Sequence, residues 1–137
     1  PLTQVILTTG KGSEYLLSGK WEEEFRRLSG AWVKVRGSVG KGLPGFAEKG
    51  INVDKYRIEA IQTTSGKSKP QVGALVTLND ELFLLTEDRR VFRVIGNLLP
   101  EMRSFRGAKV WITGKVLGKG LNLDLDAGAY QVIARRE

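Results

Sequence analysis

Cysteine and histidine are both absent from the chain. Their absence excludes disulfides, the usual zinc staples and any nucleophile or proton shuttle built on a thiol or an imidazole. No serine sits in a Gly-x-Ser-x-Gly elbow, and no Gly-Lys-Gly run leads into the Lys-Ser/Thr pair that opens the helix of a phosphate loop. Catalytic residues, cofactors and metal are therefore not expected, and the core must be aliphatic and aromatic. No apolar run approaches the length of a membrane span, and no signal peptide is visible. A chain that opens on Pro1 instead of Met has either lost a leader or been trimmed at its N-terminus, and an initial Pro is awkward for a common leader peptidase. The expected location is then secreted or cell-surface, although missing cysteine fits the cytoplasm as well.

What is present is a repeat. Gly30-Ala31-Trp32-Val33-Lys34-Val35-Arg36-Gly37 returns 77 positions later as Gly107-Ala108-Lys109-Val110-Trp111-Ile112-Thr113-Gly114. In each copy a glycine ends one element, an alternating strand follows, and a second glycine lets the strand bend. At the same offset Tyr15 falls on Phe92, Leu17 on Val94, Gly19 on Gly96, Glu24 on Glu101 and Val39 on Val116. Past Gly42 the offset shortens. Asn52-Val53-Asp54 is matched to Asn122-Leu123-Asp124 and Tyr56-Arg57-Ile58 to Tyr130-Gln131-Val132, which leaves Leu43 to Gly50 as an insertion in the first copy. The expected division is a first module at 1–62, a linker at 63–71 and a second module at 72–137.

Within the first module, Thr3 to Thr8 and Ser13 to Leu17 alternate and read as a hairpin. Trp21, Phe25 and Leu28 lie at i, i+4 and i+7, one face of a short helix with its cap near Ser18 and its stop at Gly30. Strands follow over Ala31 to Val39 and Ile51 to Ile61, separated by a Gly/Pro loop carrying Phe46. The second module adds a strand that the first does not have, Val72 to Leu78, turned by Asn79-Asp80 into Glu81 to Thr86. Arg90 to Ile95 is its third strand. Asn97 then caps a helix with Pro100 in the first turn, and Leu98, Met102 and Phe105 repeat the apolar spacing. Ala108 to Leu117 and Leu121 to Ile133 complete it.

Three strands, a helix and two strands, with the pattern Tyr/Phe-x-Leu/Val, Gly, short helix, Gly-x-x-Val-x-Val/Ile-x-Gly, resembles small bacterial OB-fold proteins, often secreted and often without assigned activity. The resemblance implies a mainly β chain of two tandem Greek-key barrels, each with one short helix. In this alignment the first barrel lacks its first strand. A barrel so truncated exposes backbone N–H and C=O groups that something must cover.

Net charge is +7. Residues 1–69 carry twelve Lys/Arg against seven Asp/Glu, and residues 70–137 ten against eight. That excess fits anionic partners and also simply aids solubility. Leu82-Phe83-Leu84-Leu85 is apolar on both faces of its strand, and Trp32 and Trp111 lie on the outward side of equivalent strands. Ile6, Trp32, Phe83, Leu85, Ile95 and Trp111 are therefore the candidate self-association surface. The expected function is a non-enzymatic structural or interaction protein that forms a homo-oligomer or an extracellular filament. The alternative is binding of single-stranded nucleic acid or another polyanion through Trp32, Lys34, Arg36, Lys41, Phe46 and Lys49. Asn122, Asp124 and Asp126 alternate onto one face, as oxygen ligands would, but match no defined metal loop; turn and edge hydrogen bonding is the plainer role.

Overall fold

The computed structural model describes residues 5–64 and 66–135. The chain is mainly β, in two sheets, and divides into two compact units, Pro1–Glu59 and Ala60–Glu137. Among the described residues no helix is long and apolar enough to cross a membrane.

In the second unit the strands are β6 (Gln71–Leu78), β7 (Glu81–Thr86), β8 (Val91–Ile95), β9 (Lys109–Lys119) and β10 (Asn122–Ala134). They close into a barrel in the order β10-β8-β7-β6-β9, with β9 paired back to β10. Only the β8–β10 contact is parallel. Asn79 and Asp80 take positive φ, 52° and 65°, as the tight β6–β7 hairpin demands. Helix α2 (Leu99–Met102), with Pro100 in its first turn, and a 3-10 turn at Arg103–Phe105 sit between β8 and β9. Leu98 is the N-cap and makes no side-chain bond, so the capping expected of Asn97 is not made. Leu75, Leu84, Phe92, Met102, Val110, Ile112 and Leu125 are fully enclosed.

The first unit is built from β1 (Ile6–Thr8), β2 (Glu14–Ser18), α1 (Glu22–Arg26), β3 (Trp32–Leu43) and β4 (Ala47–Thr63), the last running on into the second unit. Among the described residues the order is β1-β2-β4-β3, without closure. This is the order β7-β8-β10-β9 with the counterpart of β6 left out. Register carries the repeat faithfully. Leu7 pairs with Tyr15 as Leu84 pairs with Phe92, and Ser18 pairs with Asn52 as Ile95 pairs with Asp126. The last pair corrects the sequence match: Asn52 corresponds to Asp126, not Asn122. The spacing between copies thus falls from 77 to 74 residues, and the first copy is longer by three.

Those residues do not form a loop. Strands β3 and β4 continue through the expected insertion, and only Pro44, Gly45 and Phe46 turn the corner, with the Phe46 N–H donating to the Leu43 carbonyl at 3.0 Å. Gly45 has φ of 87°, which suits Pro-Gly at the centre of a type II turn. Trp21, not Ser18, is the N-cap residue of α1, again without a side-chain bond; the Ser18 hydroxyl donates to the Ile51 carbonyl at 3.4 Å. On the wet face Arg26 bonds both Glu22 and Glu23. Segment 63–71 contains a three-residue strand, β5 (Gly66–Ser68), hydrogen-bonded to the end of β4.

The second glycine of the repeat acts by close approach. A Cβ on Gly37 would lie 2.0 Å from the Asn52 carbonyl oxygen, and one on Gly114 the same distance from that of Asp126. Each copy also ties its helix to its last strand in one way. The Tyr56 hydroxyl donates to Glu24, and the Tyr130 hydroxyl donates to Glu101 at 2.8 Å. Tyr56 stacks edge-on against Phe25, and Tyr130 packs tilted against Phe105.

Candidate functional site: the unclosed edge and the face beside it

Between β1 and β3 the first unit has a groove of about 370 Å³ where the second has β6. Its lining includes Val5, Leu7, Leu17, Leu28, Ala31 and Val33. The same positions in the closed barrel show what the missing strand does. Leu82, Leu84, Val110 and Ile112 are at most 1% exposed, whereas their counterparts Val5, Leu7, Val33 and Val35 are only half-buried. In the barrel Leu75 of β6 donates its N–H to the Ala108 carbonyl at 3.0 Å and accepts from the Gly107 N–H at 2.6 Å. The counterpart residues, Ala31 and Gly30, line the groove. This site therefore offers apolar side chains and backbone donors and acceptors together, the combination an extended strand satisfies.

The expected association residues fall into separate places. Ile6 lies on β1 and lines the groove, while Trp32, 41% exposed, opens the edge strand β3. In the second unit Phe83 stands opposite Val76, Leu85 opposite Ala74, and Trp111 opposite Val72, so these three share the outer face of β7-β6-β9. Leu85 is 42% exposed there and the two aromatics are half-buried. Ile95 is elsewhere, on β8 beside Asp126 of β10.

The residues expected to hold a polyanion are also divided. Lys34 and Arg36 line a second groove of about 540 Å³ in the first unit, with Lys55, Arg57, Val39 and Ile51. Phe46 and Lys49 line another depression, where Glu14 and Glu48 dilute the positive charge. Lys41 lines neither. Lys55 and Arg57 were not among the expected residues. The repeat held the clue: β10 slips register between Ala127 and Ala129, and alternation breaks at the equivalent point of β4, where buried Val53 is followed by Asp54 and Lys55, both exposed.

Among the described residues no three His, Cys, Asp or Glu side chains gather as a metal site would require. Asp124 instead accepts both Nε and an Nη of Arg93 at 3.0 Å, and the same guanidinium reaches Glu81 at 3.4 Å. Burial, with the Glu101 carboxylate beside it, pushes the Tyr130 hydroxyl up to about 12. Comparison of the chain with protein-family models, with curated proteins and with solved structures finds no match.

Proposed function

We propose that the chain is a non-enzymatic assembly subunit of two tandem OB-fold-like modules, the first of which is completed by strand pairing with another copy. The ring order β6-β7-β8-β10-β9, with the helix between the third and fourth strands, supports the OB-fold reading of the second unit. The single observation that carries association is the apolar groove between the edges of β1 and β3, which have no strand between them among the described residues. Full burial of a Val or Leu side chain contributes about 1.5–3 kcal/mol. Completing the burial of Val5, Leu7 and Val33, which line the groove, therefore gains about a few kcal/mol before the edge hydrogen bonds are counted. Because β1 and β3 differ in sequence, a β1-to-β3 contact is head-to-tail and propagates into a fibre or closes into a ring. Like-to-like contact gives a dimer.

Light scattering across a concentration series tests this. Particles larger than one chain are expected, and Val33→Asp, which places a charge in the groove and at the edge, returns them to single chains. A protein that stays monomeric at high concentration sinks the proposal.

A further inference from the structure

The second groove of the first unit carries an inference that does not depend on association. Lys34, Arg36, Lys55 and Arg57 are all exposed and line it together. Gly37 faces the Asn52 carbonyl as Gly114 faces that of Asp126, so the β9–β10 register applies to β3–β4. That register sets Gln131 opposite Trp111 and Ala129 opposite Thr113. Carried through the repeat, it sets Arg57 opposite Lys34 and Lys55 opposite Arg36. Two like-charged pairs thus stand side by side on one sheet face, where directly opposed like charges are unfavourable. Arg57 is relieved in part by Glu59 at 2.8 Å; Lys34, Arg36 and Lys55 have no carboxylate partner among the described residues.

The scaffold itself does not require these charges. The corresponding positions of the second unit are Trp111, Thr113, Ala129 and Gln131, all neutral, and that unit closes with them in place. Successive residues on one face of a strand are about 7 Å apart. The four cations therefore form a short ladder, with Trp32, two residues before Lys34, at its end.

From this arrangement we propose that the β3–β4 face of the first unit binds single-stranded nucleic acid, phosphates lying along the cation ladder and a base stacking on Trp32. Cations in register with an extended backbone, next to an exposed indole, provide the two interactions such binding uses. Other anionic polymers share the charge and lack the stacked base.

The test is fluorescence anisotropy of a labelled oligothymidylate with the whole chain at low and moderate salt, alongside a duplex of equal length, a sulfated glycan and anionic vesicles. Three or four phosphate contacts predict a log–log salt slope of roughly −2 to −3. Lys34→Gln with Lys55→Gln should weaken binding about tenfold or more at about 0.1 M salt and flatten the slope by about 1.4. Lys115→Gln with Lys119→Gln, equal in charge change but on the second unit, should change affinity by less than about twofold. Trp32→Ala should weaken the single strand and leave the glycan unaffected. Light scattering of each variant at the assay concentration separates lost binding from altered assembly. Any of three results overturns the proposal: no oligonucleotide binding at low salt, equal loss in both double variants, or duplex, glycan or vesicles bound as well as the single strand.

Discussion

The two units are one design, closed in one place and open in the other. Leu84 and Leu7 occupy the same register position opposite Phe92 and Tyr15, yet Leu84 is fully enclosed and Leu7 is half-buried. Nothing local to these leucines differs enough to explain it. The difference is β6, a strand that contributes Leu75 to the core and hydrogen bonds to both of its neighbours. Barrel closure is thus worth far more than one strand's own contacts, because it also completes the burial of β7 and β9.

The largest effect expected comes from supplying the missing piece. Grafting the sequence of Gln71–Asp80 ahead of Gln4, the counterpart of Glu81, should close the first barrel, raise its unfolding free energy by about several kcal/mol and abolish association. If light scattering shows the graft still associating although it is stabilised, the unpaired edges are not what joins copies. Next come the paired leucines. Leu84→Ala should cost about 2–5 kcal/mol in denaturant unfolding, as for other enclosed leucines, and Leu7→Ala about 1 kcal/mol. Equal losses would mean that the two environments are the same in solution.

Gly114→Ala should follow, at about 1–3 kcal/mol, since a methyl cannot sit 2.0 Å from a carbonyl oxygen without moving the strand. Gly37→Ala should cost less, because β3 pairs with β4 alone among the described strands and can shift more easily. Circular dichroism melts of the two variants compare them directly. The smallest effect belongs to Tyr130→Phe, about 0.5–1.5 kcal/mol for the lost bond to Glu101. It has a pH signature. With the folded hydroxyl raised from 10 to about 12, Tyr130 keeps its proton while the unfolded chain loses its own, so stability falls between those values. Tyr130→Phe should flatten that fall, and an unchanged alkaline profile would contradict the burial assigned to this side chain.

Much of this was legible beforehand. Alternation placed Lys34 and Arg36 outward, and spacing put Phe25 and Met102 inward. The matches of Glu24 to Glu101 and of Tyr56 to Tyr130 anticipated a contact that neither pair announced. Lys55 and Arg57 were missed because β4 breaks strict alternation after Val53, with Asp54 and Lys55 both exposed, and such a break is fixed by the partner strand. The helix caps were misread for a related reason. Ser18 and Asn97 are good capping residues by type, but the Ser18 hydroxyl turns to the Ile51 carbonyl, a group brought there by a distant strand.

The sequence by itself determined most of the elements and their doubling, because helical and strand periods and turn chemistry are local properties written within a few residues. Tertiary structure alone decided that the residues around Phe46 extend a hairpin instead of forming a loop, that four cations from two strands share a groove, and that an identical leucine is sealed in one unit and half-open in the other. Each of those depends on which backbone lies alongside, and pairing between residues far apart in the chain is fixed only when the sheet forms.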